Sequence, residues 1–400
     1  MKEGWEYKTL GECCRISDFV SNGSFASLKQ NVNYYYAKNY ALLVRLADNS
    51  NNFDESKFVY TDKHGYDFTS KSHLHGGEII MSNVGSVGSV FICPDLKIPM
   101  TLAPNTISID TEYNRFFYYL FISPSFSSIL SEIVTKTTLK KFNKTNFKKL
   151  IVRVPNSLDE QRRIVSYLDS SFKIIDEIKN KALKSLTEAK ALFQSALAEA
   201  MEPKEGWEEK TLGDVCIFIR GPFGGSLKKE CFTREGYAVY EQQNAIYNKF
   251  TVRYFIDENK YNEMARFKVQ AGDLIMSCSG TIGKVAIIPD NYQNGIINQA
   301  LLKLTPLSIL NSNFLKYLME SNIFLEKLLV YTEGVAIKNV ASVSVLKGIL
   351  IYLPDISTQK QIVSHLDKLS SKVRAIEEKY QKMVEECDAL KQAMLRDVFE

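Results

Sequence analysis

The segment EGWEYKTLGECC at Glu3–Cys14 returns as EGWEEKTLGDVC at Glu205–Cys216. A fixed-period echo is the signature of a repeated structural unit, so the fold has to be read from the repeat outward. More echoes follow in the same order. YALLVRLAD from Tyr40 aligns with YAVYEQQNA from Tyr237, and GGEIIMSNVGSVGSVFICPD from Gly76 aligns with AGDLIMSCSGTIGKVAIIPD from Ala271. FFYYLFIS from Phe116 matches FLKYLMES from Phe314, and LIVRVPNSLDEQRRIVSYLD from Leu150 matches ILIYLPDISTQKQIVSHLD from Ile349. Two collinear copies make a duplication, not a solenoid.

Within each copy, short runs such as EIIMS, SVFI, DLIMS and KVAII are rich in branched residues and bounded by Gly, Pro, Asn and Asp, which suits half-buried strands. A helix is predicted near 114–134 and again near 312–330, followed by a strand ending at Pro155 or Pro354. A long polar helix closes each copy. In the second, Ile362, Leu366, Leu369, Val373, Ile376, Tyr380, Met383, Cys387, Leu390 and Met394 alternate by four and three, a coiled-coil seam. In the first, Ile164, Leu168, Ile175, Ile178, Ala182, Leu186, Ala189, Phe193, Ala196 and Ala200 keep a looser version, with small residues that admit a close partner. Residues 160–202 carry seven basic and seven acidic side chains, so outside its seam that helix is a solvated rod. About forty residues span about 60 Å of helix, which favours pairing of the two helices over packing of each on its own domain. The expected order is a domain over 1–157, a spacer helix over 158–203, a second domain over 204–356 and a second spacer helix over 357–400. The expected class is α+β: two β-rich mixed domains separated by two long antiparallel coiled-coil helices, a pseudo-twofold internal repeat.

Composition excludes several alternatives. With 400 residues, 45% hydrophobic and 24% charged, the chain reads as a soluble globular protein of two or three domains. No signal-like start is present and the apolar run at Phe116–Ile122 is too short for a membrane, so a cytoplasmic protein is expected. Seven scattered cysteines form neither a disulfide framework nor a zinc pattern. A net charge of +4 permits a polyanionic partner without requiring one.

The W…TLG opening, the GD-(I/L)-(I/L)-x-S…G-x-x-G segment and the P…Q-(R/K)-x-I-V…LD entry into a long helix, each present twice, resemble the DNA specificity subunits of Type I restriction-modification systems. The resemblance covers nearly the whole chain. It implies a non-catalytic reader of double-stranded DNA whose two target recognition domains address a bipartite site across a fixed gap. It also implies two modification subunits that bind S-adenosylmethionine and methylate adenine, and restriction subunits that use ATP and Mg to translocate and cleave. No cofactor is expected in this chain. Family recognition domains differ among themselves, in keeping with the divergence of the copies over 15–60 and 217–260.

Candidate DNA contacts follow from charge and amide chemistry. Lys136, Lys140, Lys141, Lys144, Lys148, Lys149 and Arg153 form a stretch without an acidic residue, suited to phosphates or equally to a solvated face; the second copy keeps only Lys338 and Lys347. Base readout needs paired donors and acceptors. Gln242, Gln243 and Asn244 offer them in the second copy, near Tyr240, Tyr247 and Asn248, and Arg45 with Asp48, Asn49 and Asn51 in the first, although such residues are also ordinary turn material. The loop RGPFGGSLKK adds Arg220, Lys228 and Lys229, and Lys284 adds a further cation.

SGTIGK at Ser279–Lys284 lacks the glycine spacing and the hydroxyl of a phosphate loop. Gly85, Gly88, Gly280 and Gly283 are read instead as shaping a turn between strands. His73 and His75 find no counterpart ligands in the second copy, so no metal site is expected. No NPPY-type methyltransferase motif or nucleotide-binding motif occurs, and catalysis is assigned to partners. The rival reading is a coiled-coil scaffold whose β-rich domains bind proteins.

Overall fold

The computed structural model describes residues 4–135, 137–223, 225–278, 283–330 and 342–400. The fold is α+β, and the chain divides into two compact units, Met1–Ala182 with Lys382–Glu400, and Leu183–Gln381. Each unit holds one copy of the β-rich domain and a portion of both long helices. The division therefore runs through the helices, whereas the sequence placed boundaries at their ends.

The duplicated phrase closes each domain on itself. In the first unit Trp5–Thr9 pairs antiparallel with the exit strand Ile151–Pro155, setting Trp5 opposite Pro155. In the second, Glu208–Thr211 pairs the same way with Leu350–Leu353. TLGE and TLGD then turn a short helix. The Glu12 carboxylate accepts from Thr9 N and Oγ1, each at 2.7 Å, and Asp214 accepts from Thr211 N at 2.9 Å and Oγ1 at 2.6 Å. Leu10 and Leu212 are fully buried. The glycine has a steric reason: a Cβ on Gly11 would lie 3.2 Å from the Lys148 carbonyl oxygen, and one on Gly213 would lie 3.0 Å from Lys347 Cβ.

Beside this two-stranded pair, two larger sheets form each domain. In the first unit Arg15–Asp18, Thr106–Asp110, Ile79–Ser82 and Val90–Ile92 lie in that order, all antiparallel. A mixed sheet orders Tyr60–Thr61, Ala41–Val44, Met100–Leu102 and His73–Leu74, its middle pair parallel. The second unit repeats the first sheet as Cys216–Arg220, Leu301–Pro306, Leu274–Ser277 and Val285–Ile287, and the mixed one as Phe255–Ile256, Tyr237–Tyr240 and Gly295–Ile297. The runs IIM and LIM are continuous because both faces of their strands are buried. Ile79 and Met81 join one core with Ile107 and Phe116, while Ile80 joins another with Leu42 and Leu102. Leu274 and Met276 divide from Ile275 in the same way.

Two sequence expectations need correction. Ala41 sits opposite Thr61 as Tyr237 sits opposite Ile256, so Tyr237 is the counterpart of Ala41 and the alignment on Tyr40 is one residue out. The helices expected over 114–134 and 312–330 are each broken in two, Asn114–Phe121 with Pro124–Ser131, and Ser312–Glu320 with Asn322–Val330. Ser123 and Ser321 cause the breaks. Each hydroxyl donates to a carbonyl of the helix it ends, at 2.6 Å, and accepts the Phe126 or Phe324 N–H of the helix it starts.

The long helices span Leu158–Met201 and Ile356–Phe399. Within the first unit they run antiparallel: Asp176 pairs with Lys391 at 2.5 Å and Lys179 with Asp388 at 2.6 Å, while Ile164 and Leu168 share a core with Leu395 and Phe399. Within the second unit Leu197 and Met201 share a core with Val363 and Leu366. The entry of each long helix is also pinned to the domain before it, through Tyr119 to Asp169 at 2.5 Å and Tyr317 to Asp367 at 2.7 Å. That is the physical role of the repeated LD.

The seam differs from expectation by half its width. Leu168, Ile175, Leu366 and Val373 are buried and Leu369 and Met383 half-buried, but Ile178 is 44%, Ile376 40% and Leu390 51% exposed. One row runs as expected through Leu366, Val373, Tyr380 and Cys387, and the other runs through Ser370, Glu377, Val384 and Lys391. The apolar stripe is wider than the contact, and the facing helix covers its other flank. Lys179 and Lys391 fill the seam with their aliphatic stems and hand their charges to Asp388 and Asp176.

Candidate nucleic-acid interface

The candidates of the second unit converge. Strand Leu274–Ser277 presents Ser277, whose hydroxyl accepts from Gln242 Nε2 at 3.1 Å and whose N–H donates to the Lys284 carbonyl at 2.9 Å. Next along the chain, burial raises the Cys278 thiol to about 11, with the Arg220 guanidinium beside it pulling the other way. Arg220, Gln242 and Lys284 thus come from the ends of three segments to one strand terminus. Arg220 and Lys284 are exposed there. Gln243 donates to Glu241 Oε2 at 3.2 Å, and Glu241 is also held by Arg253 at 3.0 Å.

Asn244 is only 1% exposed and fully employed, accepting from Glu241 N at 2.7 Å and donating to the Lys249 and Thr251 carbonyls. It builds the turn under the site and offers no edge to a base. Its counterpart Asp48, also 1% exposed, accepts from Arg45 N at 2.8 Å and grips the Arg45 guanidinium, which adds a bond to the Lys57 carbonyl at 2.8 Å. Arg45 is therefore a brace between turns. The sequence marked both as readers because amides and guanidinium serve either role; the partners that decide between them lie three to twelve residues away and are set by how the local turns fold.

In the first unit the basic stretch separates into two kinds of residue. Lys144 reaches the carboxylate of Asp18, itself 7% exposed, at 2.9 Å, and Arg153 lies 5.4 Å over the Trp5 ring. Lys140, Lys141, Lys148 and Lys149 are exposed and, among the described residues, form no ion pair. Lys148 has a counterpart in Lys347, each pressed against the glycine of the TLG turn. Lys228 and Lys229 are exposed. Lys136, Lys338 and Gly280, with the rest of Ser279–Ile282, lie outside the described residues.

The glycine turn is where the sequence placed it. Gly85 at φ +79°, Gly88 at +84° and Gly283 at +77° take left-handed backbone. Gly88 N and Gly283 N close onto the Ser82 and Ser277 carbonyls. A Cβ would meet Leu130 at 3.0 Å or Leu328 at 3.1 Å. His73 stacks on Tyr66 at 3.7 Å and bonds its carbonyl at 2.8 Å, while His75 is exposed. Among the described residues no group of three or more His, Cys, Asp or Glu side chains is placed to hold a metal, and no helix is long and apolar enough to cross a membrane.

Several aromatic rings that sequence reasoning passed over stand in solvent: Phe25 at 78%, Tyr36 at 84% and Phe223 at 90% exposure. Clustering of aromatics with Asn and Lys, as in NYYYAKNY, was the available signal.

The family model for the Type I restriction modification DNA specificity domain matches twice, over residues 2–188 and 204–386. The chain is 21% identical over 361 residues to the Type I restriction enzyme EcoBI specificity subunit of Escherichia coli, covering 80% of this chain and 73% of that protein. A solved chain from work on complex assembly and conformational transition of the type I R-M system superposes with a TM-score of 0.78 at 19% identity, covering 100% of this chain and 98% of that one. The HsdS subunit from Thermoanaerobacter tengcongensis gives 0.53 at 18% identity, over 100% and 97%. With both halves matched, the chain belongs to the Type I restriction-modification specificity subunits and carries two of their DNA-recognition domains.

Proposed function

We propose that this subunit reads a bipartite DNA target, one half per domain, and directs adenine methylation and DNA cleavage by partner subunits without catalysing either. The single observation that carries this reading is the duplication itself: two family domains of one architecture whose sequences diverge where bases would be read. The paired long helices act as a ruler that sets the gap. In the second domain Arg220, Gln242 and Lys284 line the reading surface around Ser277; in the first, Lys140, Lys141 and Lys148 track phosphates. S-adenosylmethionine, ATP and Mg belong to two modification subunits and the restriction subunits, in the cytoplasm. The apolar flank left open at Ile178 and Leu390 in the first unit supports docking of such partners on its helices.

The test is co-expression with the neighbouring modification subunit in a host lacking other adenine methylation, followed by mapping of N6-methyladenine. A bipartite motif that changes in one half when residues 217–260 are exchanged is expected. A stable complex with a competent modification subunit that methylates nothing would refute the reader and leave the scaffold.

A further inference from the structure

Phe25 and Phe223 are 78% and 90% exposed, and the two copies place them alike. Each follows the strand that opens the four-stranded sheet of its domain, Arg15–Asp18 or Cys216–Arg220, and precedes a buried leucine, Leu28 or Leu227, at 3% and 8% exposure. Leu28 packs with Leu43 and Leu227 with Val239, counterparts in equivalent strands. The two loops differ in length and sequence, yet both end with a phenyl ring in water. An exposed ring that recurs in both copies is costly to keep without a partner surface.

The backbone beneath each ring is held. In the first domain Asn22 Nδ2 donates to Ser72 Oγ at 2.8 Å, its Oδ1 accepts Lys71 N at 2.9 Å, and Ser24 Oγ accepts Ser27 N at 3.2 Å to start the helix that Phe25 opens. In the second, a Cβ on Gly221 would lie 1.9 Å from the Asn298 carbonyl oxygen, Gly221 N bonds the Leu301 carbonyl at 2.9 Å, and Ser226 N bonds the Phe223 carbonyl at 2.9 Å.

The surroundings are cationic. Lys29 stands one turn beyond Phe25 on the same helix face. Exposed Arg220, Lys228 and Lys229 flank Phe223, with no acidic residue between them. A held, exposed phenyl ring with exposed cations close by in the chain matches a polyanion with stacked apolar faces inside, which is duplex DNA.

We infer that Phe25 and Phe223 are apolar wedges, one per domain, that stack on bases at a partly opened step of each half-target. The inference rests on the proposed DNA reading. A wedge unstacks the step it enters and bends the duplex toward more contact. It also lowers the cost of extracting a neighbouring base, which any enzyme modifying that base must do. Because a phenyl ring neutralises no phosphate, it adds affinity without changing the salt slope.

The test uses the complex with the modification subunit and duplexes bearing the mapped motif, with 2-aminopurine scanned through each half. A fluorescence rise is expected at one step per half. Phe223→Ala should abolish it only in the half read by the second domain and weaken binding about tenfold, with the salt slope unchanged. Phe25→Ala should mirror this in the other half, and Phe223→Trp should retain the signal. A rise that survives both alanine variants, or none in the parent complex on a motif it methylates, overturns the wedge while leaving the reader intact. Loss of subunit assembly in place of loss of DNA signal assigns the rings to a protein partner and overturns it too. Absence of any methylated motif overturns both proposals.

Discussion

A single side chain's function depends on whether its polar atoms are already spent. Asn244 has three internal bonds at 1% exposure, whereas Lys284 stands exposed at the end of the neighbouring strand. Asn244→Ala is expected to destabilise the second domain by about 1–3 kcal/mol and to leave the recognised bases unchanged, as chemical denaturation and methylation mapping would show. Lys284→Ala should do the reverse. Being exposed, it should leave the unfolding midpoint in place while weakening binding to all sequences and reducing the salt slope by about one. Gly213→Ala probes the turn of the repeated phrase: its Cβ would press on Lys347 at 3.0 Å. Unfolding free energy should drop by about 1–3 kcal/mol.

At the scale of elements, the tyrosine clamps and the helix seam carry the design. Burial, and then the bond to Asp169, raises the Tyr119 hydroxyl pKa above its ordinary value, and Tyr317 is raised in the same way by burial and Asp367. A raised folded-state pKa stabilises the protonated side, so this contribution is whole below about pH 10, the unfolded value, and is lost as pH climbs through the folded one. Tyr119→Phe should lower stability near neutrality and flatten part of the alkaline decline, read by denaturation at several pH values. In the seam, Leu366→Ala should cost about 2–5 kcal/mol, whereas Ile376→Ser should change stability by under about 0.5 kcal/mol. Equal effects would mean that the expected a/d register is the true one. Periodicity found these helices but placed the seam one flank over. The four-three pattern marks an apolar stripe, and the position of the facing helix decides which edge of it is covered.

For the whole molecule, the first compact unit draws on both ends of the chain, since Lys382–Glu400 completes the unit of the first copy, whereas the second is the continuous segment Leu183–Gln381. Phe399 packs against Trp5 and Phe116 at ring separations of 6.4 and 5.6 Å. Removing that aromatic contact with Phe399→Ala should destabilise the first unit by about 3–5 kcal/mol, visible as an early transition in thermal unfolding. The proposed ruler makes a separate prediction. Seven residues inserted into both long helices, about 10.5 Å of rise, should lengthen the unspecified gap of the target by about three base pairs at 3.4 Å each. An unchanged gap in the methylation map would exclude the helices as the spacer.

The duplication, the strand-rich domains, the two long helices and the family could all be read from the sequence alone, because each depends on local periodicity or on motifs recurring in order. TLG was legible as a motif, and its helix-starting hydrogen bonds are local, but its glycine answers to the distant Lys148 and Lys347. The tertiary structure decided the rest. Which flank of the seam is covered turns on groups distant in sequence, because the facing long helix supplies them. That Asn244 is spent, that Arg45 braces Asp48 and that Ser123 and Ser321 break a helix turn on partners three to twelve residues away, which only the folded backbone brings to hydrogen-bonding distance.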